Sequence, residues 1–82
     1  MSKVEVFSKI QKILAEQLHA TPEKITESSD IKTDLGADSL DIAEIALVIK
    51  EEFDYDLNDQ EMLKIKTVGD IVNILVLHVV GN

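Results

Sequence analysis

The sequence predicts an all-α fold: a small four-helix bundle with a long loop between helices 1 and 2 and a short third helix. Three observations carry this reading. Apolar residues recur at spacings of three and four in three separate segments. Each of those segments begins at a residue suited to capping a helix N-terminus. No segment alternates apolar and polar residues cleanly enough to give a β-strand a partner.

The first helix is expected from about Lys3 to Leu18. Val4, Phe7, Ile10, Leu14 and Leu18 form its apolar face, which Val6 and Ile13 widen. Ser2 followed by Glu5 three residues on reads as a capping box. From His19 to Asp38 the pattern breaks. Thr21-Pro22 disfavours helix, and Ser28, Ser29, Asp30, Thr33, Asp34 and Gly36 form turns. Ile25, Ile31 and Leu35 would tack this long loop onto the core. A loop of such length in a small domain is often functional.

A second helix is expected from about Ser39 to Phe53. Asp38 is its N-cap, and Asp41 places negative charge in the first turn. Ile42, Ile45, Ala46, Ile49 and Phe53 make the buried stripe. Asp54 to Asp59 is polar and turn-like, and Gln60 to Ile65 is expected to form one short helical turn. Thr67 caps the last helix, from about Val68, with Asp70 completing a capping box. Val68, Ile71, Val72, Leu75 and Val79 supply its buried face. Ile71 to Val80 is rich in β-branched residues, but a single strand there has nothing to pair with.

Eighty-two residues are expected to form a single domain, 1–82, with one core and no room for a deep catalytic cleft. The net charge is -8, and all eight cations are lysines. That balance excludes nucleic acid as a direct partner. With no cysteine, disulfides, thiolate metal sites and a cysteine nucleophile are excluded. No signal-like run opens the chain, and no stretch approaches the length of a membrane span. A cytoplasmic protein without a membrane span, working as a monomer, is expected.

Residues 38 to 61 contain nine acids and one lysine, which is the whole net charge. The segment reads either as a solvated face or as a surface for docking basic partners. Ala43 and Leu47, placed among acids of one sign, favour docking. Asp54-Tyr55-Asp56-Leu57-Asn58-Asp59 begins like a calcium loop. It fails where glycine is needed, at Asp59, and where a bidentate glutamate is needed, at Ile65. No metal site is therefore expected. No catalytic residue is expected either: Ser39 lacks the Gly-x-Ser-x-Gly elbow. His19 and His78 fall at helix ends, where a cation favours the dipole. Ser39 remains the informative residue. It reads either as a first-turn cap or as an exposed hydroxyl that accepts a group from another enzyme, at a helix start suited to a phosphate.

The string Asp34-Leu35-Gly36-Ala37-Asp38-Ser39-Leu40-Asp41, then Glu44 and Glu51-Glu52-Phe53-Asp54, resembles the bacterial acyl carrier proteins of dissociated fatty-acid synthesis. The likeness covers nearly the whole chain, including Lys64-Ile65-x-Thr67-Val68 before the last helix. The resemblance implies a non-enzymatic carrier with 4′-phosphopantetheine attached covalently to Ser39, between Asp38 and Leu40. A phosphopantetheinyl transferase would move the arm from coenzyme A with magnesium, and the arm's thiol would hold acyl groups as thioesters. It also implies docking of acyltransferases, ketoacyl synthases, reductases and dehydratases through basic patches. Their contacts would be Asp38, Leu40, Asp41, Ala43, Glu44, Leu47, Glu51 and Glu52. The chain departs from the common pattern at Ala43 and Leu47, at Asn58 in place of a frequent proline, and in its apolar C-terminal segment. Those departures admit a specialised carrier for a secondary metabolite or modified lipid. A non-covalent acidic interaction module is the competing class.

Overall fold

Capping boxes start the helices. In this computed structural model, which describes residues 2–79, α1 (Lys3–Leu18) opens where the Ser2 hydroxyl accepts the Glu5 N–H at 3.2 Å. The Glu5 carboxylate returns the contact to the Ser2 N–H at 3.2 Å. Donation by the Ser2 N–H, and then by its hydroxyl, holds the Glu5 carboxyl below its ordinary pKa. The helix ends at His19, which turns into the left-handed region at φ 55° ahead of Pro22. Pro22–Lys24 form a 3-10 turn, tied to α1 by the Gln11 amide, which donates to the Pro22 and Ile25 carbonyls.

Helix α2 (Ser39–Phe53) stops at Asp54, again left-handed at φ 54°. Helix α3 (Asp59–Lys64) is capped by Asn58, whose side chain accepts the Glu61 N–H at 2.8 Å. The proline-free approach thus supplies its own cap. Helix α4 (Val68–Val79) begins where the Asp70 carboxylate accepts the N–H groups of Thr67 and Lys66 at 2.9 and 2.8 Å. The β-branched run from Ile71 is helical through Val79, and Val80 lies outside the described residues. No helix among the described residues is long and apolar enough to cross a membrane.

The three long helices share one aliphatic core, with α1 lying against both α2 and α4. Val6, Ile10, Leu14, Ile49, Val68, Val72 and Leu75 are all fully enclosed. One expectation for α1 is corrected: Val4 is 74% exposed. The stripe centres on Val6, Ile10, Ile13 and Leu14, and at about 100° per residue Val4 sits about 120° round from Ile10. The short helix also shifts slightly, with Asp59 inside it and Ile65 as its C-cap.

The long loop is more ordered than its turn-rich sequence suggests. The Glu27 and Ser29 carbonyls accept the N–H groups of Gly69 and Val68, at 2.8 and 3.0 Å, and the Ile31 N–H donates to Lys66 O at 3.0 Å. Ile25 and Ile31 are buried as expected, and Leu35 is half-buried. Ser29 is buried as well; its hydroxyl accepts the Thr26 N–H at 3.0 Å.

Two outcomes follow from this clasp. A Cβ on Gly69 would lie 3.0 Å from the Glu27 carbonyl oxygen, which the Gly69 N–H already holds in place. Gly69→Ala should therefore lose about 1–2 kcal/mol in urea unfolding, although alanine is the better helix former by nearly 1 kcal/mol. The N–H groups of Thr67 and Lys66 hold the Asp70 carboxyl below its ordinary pKa. A depressed folded pKa means stability present above the ordinary carboxylate range and lost as pH falls through the lowered value. Asp70→Asn should unfold at lower urea than wild type at neutral pH, and the two midpoints should converge in acid.

Candidate functional site

Ser39 is placed by a relay of hydrogen bonds from the loop. The Asp30 carboxylate accepts the N–H groups of Lys32 and Thr33, both at 2.9 Å, and Asp34 accepts the Asp30 N–H at 2.7 Å. The Thr33 N–H, foremost, holds the Asp30 carboxyl below its ordinary pKa. Gly36 then adopts φ 75°, a conformation glycine takes without strain. The Ala37 N–H bonds to Ile31 O at 3.0 Å, and the Ala37 side chain is buried. Asp38 follows as N-cap, accepting the Asp41 N–H at 2.9 Å, while Asp41 accepts the Asp38 N–H at 3.1 Å.

This assigns the cap to Asp38 and releases Ser39 from it. Ser39 is the first residue of α2 and is exposed, and its hydroxyl makes no hydrogen bond with the described residues. No partner among them takes up the Ser39 or Leu40 N–H. A free hydroxyl beside two free N–H groups at a helix start suits an esterified phosphate. Asp38 and Asp41 stand beside it and disfavour an anion unless a cation comes with it.

The predicted partner residues fall on one side of α2. Leu40, Ala43, Glu44, Leu47 and Glu51 recur at three- and four-residue steps, and all are exposed, Leu40 at 67% and Leu47 at 61%. Ile45, Ile49 and Phe53, the buried residues, lie on the opposite side. Asp41 and Glu52 flank the exposed stripe, Asp41 partly covered. Lys50, the one cation of this helix, pairs with Asp56 at 3.7 Å, an exposed contact worth little.

One space adjoins the serine, and a second shares lining residues with the first. An open depression of about 410 Å³ is lined by Ser39, Lys32, Ile42, Asp59, Met62, Leu63 and Ile65. Beneath it runs an apolar seam with only about 10 Å³ of free room, bounded by Ile42, Ile45, Ile49, Met62, Ile65 and Ile71 among others. That is about the least volume that holds a water, and an apolar space so small stays dry. Sequence reasoning missed Lys32, Met62 and Leu63. Lys32 sits in a turn, and a six-residue helix is too short for periodicity to reveal which face it presents.

The segment that begins like a calcium loop instead marks helix ends. Asp54 caps α2, and Asn58 caps α3. Among the described residues no three His, Cys, Asp or Glu side chains converge as metal ligands. The Tyr55 hydroxyl donates to Glu61 at 2.5 Å, which pushes the phenol pKa up, and the Tyr55 ring lies 4.6 Å from that of His78. His19 is the left-handed C-cap of α1.

Comparison with known proteins bears on this arrangement. Residues 8–75 match the family described as the phosphopantetheine attachment site. An acyl carrier protein of Wolinella succinogenes is 43% identical over 67 residues, covering 82% of this chain and 88% of that protein. One of Clostridium acetobutylicum is 44% identical over 73 residues, covering 89% and 95%. The solved acyl carrier protein of Enterococcus faecalis superposes with a TM-score of 0.78 at 34% identity, covering 93% of this chain and 96% of that one.

Proposed function

Because the chain belongs to the acyl carrier protein family, with its phosphopantetheine attachment domain, we propose that Ser39 is the attachment residue and that the carrier serves fatty-acid synthesis. The observation that carries this is Ser39 itself: exposed, released from capping by Asp38, and lining the depression between α2 and α3. Once attached, the arm supplies a thiol, which this cysteine-free chain lacks, for holding acyl groups as thioesters. Ser39 provides the oxygen nucleophile in the transferase's site. Asp38 and Asp41, which each use one oxygen in the capping box, would offer the other to the magnesium that accompanies the donor's phosphates. The free N–H groups of Ser39 and Leu40 stabilise the esterified phosphate. The chain is a carrier and not an enzyme, so it acts as substrate for its partners. This reading places it in the cytoplasm as a single functional domain over residues 1–82.

The exposed stripe of α2 is the docking face in this reading. Leu40 and Leu47 supply apolar anchors, and Glu44, Glu51 and Glu52 steer basic patches of acyltransferases, ketoacyl synthases, reductases and dehydratases. The dry seam gives an acyl chain shelter, with each buried methylene worth about 0.8 kcal/mol less the packing it displaces.

Incubation with coenzyme A, magnesium and a carrier transferase should raise the mass of wild type by one arm. Ser39→Ala should stay at its apo mass while losing no more than about 0.5 kcal/mol, since its hydroxyl makes no hydrogen bond with the described residues. An unmodified wild type, alongside a control carrier that loads, would refute the assignment.

Docking is tested separately with fully loaded variants. Glu44→Lys and Glu51→Lys should fold normally and raise the apparent KM of a cognate synthase about five- to tenfold at low salt, with the difference shrinking as salt rises. Leu47→Ala should also raise KM, but nearly independently of salt. Wild-type turnover by both charge reversals at low salt would remove α2 as the docking face.

A further inference from the structure

Ile42, Met62 and Ile65 each line both the outer depression and the inner seam. Ser39 and Leu63 line only the outer space; Ile45, Ile49 and Ile71 line only the inner one. The three shared side chains are therefore the partition between the attachment residue and the apolar interior. The seam has almost no free volume, so nothing enters without moving part of that partition.

The three members are not equally free to move. Ile42 belongs to a fifteen-residue helix whose opposite end is anchored by Phe53. Ile65 is β-branched and sits where the chain is fixed between α3 and the clasp at Lys66. All three are half-buried alike, so the difference lies in the side chain: Met62 is unbranched, with three rotatable bonds. It stands on a six-residue helix that has no buried residue. Leu63 beside it is 87% exposed, so the outer depression offers an apolar resting place on the near side of the partition.

We propose that Met62 is the chain-length determinant of this carrier: a short acyl group rests outside against Met62 and Leu63, and a longer one enters the seam by displacing the Met62 side chain. The inference rests on Ser39 as attachment residue and on sheltering of the acyl chain. It adds which side chain sets the threshold. Below the threshold, too few methylenes are buried to offset the contacts Met62 gives up. Above it, burial wins and the thioester is drawn inward.

The test uses wild type, Met62→Ala and Met62→Phe, each loaded through a carrier transferase with acetyl-, butanoyl-, hexanoyl-, octanoyl- and decanoyl-coenzyme A. The first readout is thioester lifetime against hydroxylamine, which attacks the carbonyl and releases the arm's thiol. The second is the melting temperature of each acylated form relative to its own unacylated form, which also reports folding. Wild type should show an onset of protection at some chain length. Met62→Ala should move that onset about two carbons shorter, since side-chain volume has been removed from the partition. At the lengths between the two onsets its thioester should live roughly tenfold longer, the worth of one to two buried methylenes. Met62→Phe should move the onset longer or abolish it. Should Met62→Ala fail to fold when loaded, Met62→Phe decides alone. If the folded variants keep the wild-type onset, Met62 is not the determinant and sheltering stands. If wild type itself shows no onset, the sheltering reading fails and this inference with it. If no form loads, the failure lies in the Ser39 assignment.

Discussion

A helix N-terminus leaves backbone N–H groups without partners, and at α4 two of them are taken by carbonyls of the long loop. Glu27 and Ser29 accept from Gly69 and Val68, Ile31 donates to Lys66, and Ala37 donates back to Ile31. Those bonds run without a break from the start of α4 to the residue before the cap of α2. The two helices are thereby registered against each other through a segment that contains little regular structure. The position of Ser39 depends on this path more than on α2 itself, because a helix fixes only what lies along its own axis. The buried Ser29 hydroxyl and the left-handed Gly36 serve the same end, closing turns at either end of the path.

With the serine fixed, α2 divides its circumference between a buried and an exposed face. Ile45, Ile49 and Phe53 hold it to the core, and Leu40, Ala43, Glu44, Leu47 and Glu51 face outward on the other side. The excess of acids from residue 38 to 61 is a standing repulsion in a domain with a small stability margin. The capping boxes at Asp38 and Asn58 place part of that charge at helix N-termini, where the dipole favours it. Only one lysine within the segment is used to relieve the rest.

The helices and their caps were legible because their signals are local: side-chain spacing and a few polar residues at defined offsets. Ser2, Asp38 and Asp70 mark helix starts in the sequence and in the structure alike. The placement of Ser39 at the start of α2, and of Ala43 and Leu47 on its exposed side, followed from the same periodicity. The clasp was not legible, because backbone-to-backbone bonds between distant segments leave no mark on side-chain identity. Gly69 was its only trace, since a close approach to Glu27 needs the missing Cβ. Val4 misled because the 3–4 rule admits two overlapping faces on one helix, and only contact with α2 and α4 selects between them. Met62 was hidden for another reason. Its role comes from standing between two spaces, and those exist only once α3 is set against α2.

Tyr55 is the only tyrosine of a chain without tryptophan, and it donates its phenolic proton to a carboxylate on α3 while its ring rests near an imidazole on α4. An excited phenol is a far stronger acid than one in its ground state, and a carboxylate accepting its proton quenches its emission. The tyrosine fluorescence of the molecule should therefore be dim, and should depend on Glu61 staying in place. Glu61 and Met62 are neighbours on the same short helix, so a swing of α3 large enough to part them from the bundle would brighten the protein without any attached dye.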